Sequence, residues 1–376
     1  MSGHVRQRGN KGQWYAVINV VTDGKRKRVW HRLDTKITTK RDAQDACTLL
    51  EAKKIEGTYV EPSKITVAEF VRGRVDQWEG AGNITARTAQ RYRVSVENQI
   101  APHLGTKPLQ KVASIDIERW HTTLRAGGLS PRSISHAHRV LSMALRDAER
   151  HGIVTKNVCK VQTAPKVPHK EMDIVQDVPG FVTKLRASAG RWYAPAIVAL
   201  FTGMRLGEIL ALRERSVDLD KGVIRVREAL EETKAYGVRF KDAKTRAGRR
   251  DITLPAIVIE ALREHRRQLL ETRMQLGQGR LAPDNLLFAD INGRPLRTTS
   301  MSPEWGRLAD RIGEPAITFH ALRHTHASQL IASGVDIVTI SKRLGHSKPD
   351  ITLRVYAHMF HVDDSKAAEA INEALG

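Results

Sequence analysis

Cysteine is almost absent from this chain: 376 residues contain only Cys47 and Cys159. Two thiols cannot build a disulfide framework, and a cysteine-rich zinc module is excluded by count, so a reducing, intracellular setting is expected. Long apolar runs are missing as well. The longest, Tyr193 to Phe201, falls far short of the ~20 residues that a bilayer-spanning helix needs, and the opening MSGHVRQRG has no apolar signal core. Membrane-spanning and secretory readings are set aside, and a cytoplasmic protein is expected. No G-x-x-x-x-G-K-[ST] loop and no acidic metal cluster is present, so neither a nucleotide cofactor nor a metal is expected. Acidic charge is scarce relative to basic: 41 Asp+Glu face 62 Lys+Arg, a formal charge of +21.

With 41% hydrophobic and 27% charged residues the chain has a globular composition, and its length predicts two or three domains. Residues 1–170 hold 31 Lys/Arg against 15 Asp/Glu, so they carry most of the positive excess. A strongly cationic protein attracts a polyanion, and the nucleic-acid backbone is the leading candidate.

Along the chain, QWYAVINVV (13–21) reads as a strand, DGKRKR (23–28) as a hairpin turn loaded with the cations Lys25, Arg26, Lys27 and Arg28, and VWHRL (29–33) as the return strand. A helix follows from Thr38–Thr39, with Ala43, Ala46, Leu49, Leu50 and Ile55 as its apolar face and Gly57 as its stop. Residues 1–60 thus form a small sheet-plus-helix module. Four helical patterns fill residues 64–157, opening at Thr66, Thr85, Ser114 and Ser130, and they carry Arg72, Arg74, Arg87, Arg91, Arg93, Arg132, Arg139 and Arg146. A phosphate-tracking face is expected there, with Arg87, Arg91, Arg132 and Arg139 as its candidates. KVQTAPKVPHKEMD (160–173), with Pro165 and Pro168, reads as an extended linker. Residues 174–376 read as a mainly helical α+β domain with a small antiparallel sheet. Its helices are expected at about 178–188, 192–201 and 204–213. Strands are expected at 223–230, 236–240 and 249–254, with a short one near 286–288.

Five stretches of that last region concentrate cations and one phenol. TGMRLGE (202–208) holds Arg205, KDAKTRAGRR (241–250) holds Lys244, HALRHTH (320–326) holds His320 and Arg323, LGHS (344–347) holds His346, and TLRVYAH (352–358) holds Tyr356. Singly, each has an ordinary explanation: Arg205 and Glu208 as an i,i+3 pair, Lys244 as a solvated turn lysine, Tyr356 as packing. His320 and His324 at i,i+4 could also be read as half a zinc site, although cations rather than carboxylates interleave.

Taken together and in order, these stretches resemble the tyrosine recombinases, specifically a phage-type integrase. The resemblance covers nearly the whole chain. It implies that residues 1–60 are an arm-site-binding domain, 64–159 a helical core-binding domain and 174–376 the catalytic domain. By the same resemblance the catalytic set is Arg205, Lys244, His320, Arg323, His346 and Tyr356, with Ala321 where many relatives carry Asp. Two guanidiniums suit the developing charge on a phosphodiester's non-bridging oxygens, which they can clamp with forked hydrogen bonds. Tyr356 would be the nucleophile, His320 its base, His346 a donor to the phosphate and Lys244 the acid that protonates the departing 5′ oxygen. Glu208 would brace Arg205.

The function expected is site-specific recombination through a covalent 3′-phosphotyrosine and a Holliday junction, integrating or excising a mobile element such as a temperate phage genome. The partners implied are double-stranded DNA attachment sites of core and arm type, a homo-tetramer on that DNA, a host DNA-bending protein and an excisionase. A type IB topoisomerase would share the chemistry without needing the front module, and a DNA-binding regulator would not need the whole catalytic set. The amphipathic tail at 363–376 is expected to dock on a neighbouring subunit or on its own domain.

Overall fold

The computed structural model describes residues 3–8, 12–22, 25–56, 59–168, 172–233, 236–242, 248–356, 372–373 and 375. The chain divides into two compact units, Met1–His169 and Lys170–Gly376.

The first unit opens with β1 (His4–Arg8), β2 (Gln13–Thr22) and β3 (Lys25–Arg32), an antiparallel sheet in the order β1-β2-β3. Strand pairing runs out to Thr22 opposite Lys25 and Val21 opposite Arg26, so the cations assigned to a turn instead begin β3. Alternation then sorts them by face. Ala16, Ile18 and Val29 turn to a core shared with Ala43 and Cys47 of α1 (Lys40–Ile55). Thr39 caps this helix by accepting from the Asp42 N–H. Leu49 and Ile55, expected on its apolar face, are exposed, and Cys47 occupies the buried position instead.

A second core follows, built by α2 (Val67–Gly80), α3 (Ala86–Ser95), α4 (Ala101–Leu104), α5 (Ser114–Ala126) and α6 (Pro131–Arg150). Thr66 and Glu69 close a reciprocal capping box at α2, and Ser130 followed by Pro131 starts α6. The helix expected to run from Thr85 to Ile100 leaves α geometry after Ser95 for a π-helical turn at Val96–Ile100. Pro102, which has no N–H to donate, stands in the first turn of α4, and the wider turn before it absorbs the missing bond.

The second unit centres on α8 (Tyr193–Thr202), which is buried along most of its length. Around its core are α7 (Val178–Ser188), α9 (Leu206–Leu210), α10 (Ala256–Gln275), α11 (Thr298–Arg311) and α12 (Phe319–Ala332). Two small antiparallel sheets pack here: β4 (Val217–Asp218), β5 (Val223–Val226) and β8 (Arg250–Thr253) in the order β4-β5-β8, and the pair β6 (Glu228–Thr233) and β7 (Gly237–Asp242). The single strand expected at 223–230 is therefore broken at Arg227. Its guanidinium donates to the Val226 and Arg250 carbonyls and to Asp251, fixing the point where the chain changes sheets. The helix expected at 204–213 is only α9, and Leu286 forms an isolated bridge to Arg213 in place of a strand at 286–288. Last come α13 (Ile337–Leu344) and α14 (Pro349–Tyr356). No helix among the described residues is long and apolar enough to cross a membrane.

Candidate active site

Two left-handed glycines set the site's backbone. Gly203 (φ 68°) ends α8 and turns the chain so that Arg205 becomes the residue immediately before α9. A Cβ at Gly203 would stand 2.6 Å from Leu344 Cδ2 and 2.8 Å from His326 Cδ2, so close packing as well as φ requires glycine there. Gly345 (φ 68°) ends α13 in the same manner and delivers His346.

On α12, His320, Arg323 and His324 fall at i, i+3 and i+4 and share one helix face. Arg323 is 3% exposed; it donates to the Gly203 carbonyl at 2.6 Å and to His346 Nε2 at 2.8 Å. Burial, reinforced by the Arg205 charge, pushes it down to about 9, still protonated at neutral pH. Arg205 donates through its backbone N–H and its guanidinium to Glu208, at 3.0 and 2.8 Å, and reaches the Gly345 carbonyl at 3.4 Å. Its side chain stays 42% exposed, so it faces solvent with its geometry already fixed.

Glu208 is the anion behind this cationic group. It also accepts from Arg250 on both oxygens, at 3.2 and 2.7 Å, while Arg250 Nε donates to the Arg343 carbonyl at 2.7 Å. Burial opposes the carboxylate's charge, but the Arg250 and Arg205 guanidiniums prevail and hold it down at about 2.

Tyr356 is 1% exposed, and its hydroxyl lies 2.6 Å from Nδ1 of His324. Burial pushes the phenol up to about 12, a rise that Arg323 only partly offsets. The residue in contact with this phenol is His324, while His320, the expected base, lies beside it on the same helix face. The His320 ring meets that of His324 edge-on, with centroids 4.7 Å apart. His320 is exposed, and partial enclosure together with Arg323 and Arg205 lowers its proton affinity. Lys244 and the tail at 363–371 lie outside the described residues, while Lys241 on β7 pairs with Glu231 at 3.5 Å.

Four groups escaped sequence reasoning: His324 as the phenol's partner, Thr352 on His346 Nδ1, His326 and Arg250. Arg250 had a readable signal, since alternation along β8 places it on the same face as buried Ile252.

Acid should weaken this unit in two stages. His324 and His346 are pushed down to about 4 and His326 to about 3, each chiefly by burial. Their folded values lie below the unfolded ~6.5, so the unfolded chain binds more protons and stability falls as pH drops from about 6.5 toward 4. Glu208 acts in the same direction at lower pH: its contribution of about 3 kcal/mol is present above the unfolded value of ~4.3 and is lost as pH falls toward 2. Urea midpoints followed by amide exchange in α8 and α12 should decline between pH 7 and 5 and more steeply below 4.5; a flat profile would contradict the buried neutral imidazoles.

In the first unit, strand register puts Arg6, Tyr15 and Arg32 side by side, and Arg26, Arg28 and Trp30 alternate on that same face, opposite the Ala16–Ile18 core. Arg8 stacks on Trp30, 3.9 Å from the ring centroid. Lys27 points to the other face and pairs with Glu61 at 2.7 Å; the side chain of Lys25 is outside the description. Among the helical arginines, Arg72, Arg74 and Arg93 are bound in ion pairs with Glu97, Asp147 and Asp76/Glu79. Arg87 and Arg91 on α3, and Arg132 and Arg139 on α6, are exposed, and Arg91 and Arg139 both bear on His136.

Residues 183–361 match the phage integrase family. An integrase of Streptomyces ambofaciens is 29% identical over 93% of this chain and 92% of its own length. A "tyrosine recombinase XerC-like" protein of Caldanaerobacter subterraneus is 27% identical over 70% of this chain and 71% of its own. The Tn1549 transposon integrase, solved with a circular intermediate DNA, shares the fold with a TM-score of 0.69 at 22% identity, over 83% of this chain and 100% of that one. A guanidinium pair over a single buried carboxylate, flanked by imidazoles and a phenol, thus stands on a fold and in a sequence context that agree, and residues 183–361 form a phage integrase family domain whose relatives are named integrases and tyrosine recombinases.

Proposed function

We propose that the chain is an integrase that cuts and rejoins double-stranded DNA at attachment sites through Tyr356. The observation that carries this reading is the convergence of Arg205, Arg323, His346 and Tyr356: Arg323 bonds His346, Arg205 bonds the carbonyl of Gly345 just before it, and Tyr356, bonded to His324, lies within electrostatic reach of Arg323. Arg205, half open to solvent, and Arg323, behind it, would grip the two non-bridging oxygens of one phosphodiester. His346 would donate to the same phosphate, stabilising charge that grows in the transition state. To attack, the phenol must leave His324 and its burial. The exposed imidazole of His320, neutral at pH 7, is suited to take its proton, and Lys244 to return one to the 5′ oxygen.

The 3′-phosphotyrosine link conserves the energy of the broken bond, so resealing needs no nucleotide. Four strands exchanged between two duplexes require four such sites, and a tetramer on a Holliday junction supplies them. The basic, aromatic outer face of the front sheet suits arm-type DNA, and Arg87, Arg91, Arg132 and Arg139 suit core-type DNA, with a bending protein and an excisionase as accessory partners in the cytoplasm.

The test is a nicked suicide duplex carrying DNA from the flanks of the gene, incubated without metal or ATP. A protease-sensitive adduct on the 3′ phosphate is the expected product. Specific binding with no adduct would favour a regulator, and relaxation of any supercoiled DNA without site preference would favour a topoisomerase.

A further inference from the structure

The His346 ring is held at both nitrogens. A guanidinium can only donate, so the 2.8 Å contact from Arg323 makes Nε2 an acceptor, and the proton of the neutral ring therefore sits on Nδ1. Nδ1–H donates to Thr352 Oγ1 at 2.7 Å. Thr352 is fully buried on α14, so no water competes for that bond. We propose that Thr352 is a positioning residue of the recombination site: its hydroxyl fixes the tautomer of His346 and aims Nε2 at the place where Arg323 and a phosphate meet.

The inference rests on the reading given under "Proposed function" and deepens it. In the free chain, Nε2 offers a lone pair that keeps the Arg323 guanidinium in place. When a phosphate draws that guanidinium away, Nε2 is released and takes up a proton from solvent, turning from acceptor to donor toward the phosphate. Nδ1–H stays on Thr352 throughout, so the ring changes charge without changing orientation. The groups facing it are Arg323 and His324 of α12, Arg205 before α9 and Arg250 of β8; their charges and burial keep the ring neutral until an anion arrives. Without the hydroxyl, the ring loses its anchor opposite Arg323 and both its rotation and its tautomer become free.

Thr352→Val keeps the shape and removes the hydroxyl, whereas Thr352→Ser keeps the hydroxyl. Two measurements on the full chain test the role. Nitrogen-15 spectra of labelled histidine, with His346 assigned from a His346→Gln spectrum, should show Nδ1 protonated and Nε2 bare in the wild type and in Thr352→Ser, and a mixture of tautomers in Thr352→Val. Adduct formation on the nicked duplex should fall about 10- to 100-fold in Thr352→Val, the usual cost of removing a partner that orients a working imidazole, and stay within about threefold in Thr352→Ser. A wild-type ring protonated on Nε2, an unchanged Thr352→Val spectrum and rate, or an equal loss in the serine variant would each overturn the proposal. A wild type that forms no adduct at all would sink the recombinase reading, and the spectra alone would then decide the role of Thr352.

Discussion

Tyr356→Phe should bind the same DNA as the wild type and form no adduct, a loss on the order of 10⁴-fold or more, as when other enzymes lose their nucleophile. Phenylalanine keeps the ring that packs with Ala327, Ile331, Ile340 and Leu344 and removes only the hydroxyl. What is lost structurally is the 2.6 Å bond to His324, whose Nδ1 is left unpaired at a cost of about 1–2 kcal/mol. For a unit of this size that lowers the melting temperature by only a few degrees. Stability and chemistry are thereby separated: a small thermal shift, unchanged DNA affinity and total loss of the covalent product. An adduct that survives in this variant would remove Tyr356 as nucleophile. Since the wild-type phenol is both buried and bonded, its attack must include an opening step. DNA that engages Arg205 and Arg323 should speed that step, so adduct formation should track specific DNA occupancy.

Much of this architecture could be read from the sequence because its signals are local. Thr39, Thr66, Thr85, Ser130 and Thr318 each stand where a cap belongs, and each caps its helix through the side-chain oxygen. The spacing of His320, Arg323 and His324 forces them onto one face whatever the tertiary structure. Pairing between distant segments could not be read. Nothing in the order of residues says that Arg72, Arg74 and Arg93 are occupied by Glu97, Asp147 and Asp76, while their neighbours Arg87 and Arg91 are left exposed. The same holds within the site. His324 and Tyr356 are 32 positions apart, and which of the two imidazoles on the α12 face receives the phenol depends on how α14 lies against α12. Leu49 and Ile55 fail for a related reason: helical periodicity marks a stripe, but the three-stranded sheet covers only part of it.

Arg250→Met should produce the largest loss of stability of any single change in the site. It removes the guanidinium that holds both oxygens of Glu208, a carboxylate whose side chain is 7% exposed, and it strips the Arg343 carbonyl of its donor at 2.7 Å. An unpaired buried charge costs about 3–5 kcal/mol, and Arg205, engaged with the same carboxylate but half exposed, can compensate only in part. Recombination should suffer separately from stability, since Glu208 anchors the backbone and guanidinium of Arg205 while the Arg343 carbonyl precedes the turn that delivers His346. The double variant Arg250→Met/Glu208→Leu distinguishes the two effects. With neither charge left to bury, it should regain most of the lost stability in urea unfolding, because apolar replacements of a whole buried pair are close to neutral. Adduct formation should stay low even so, because Arg205 would have lost the carboxylate that aims it. If the single variant unfolds within about 1 kcal/mol of the wild type, or the double variant recovers the rate along with the stability, then Glu208 and Arg250 do not hold the phosphate clamp in place.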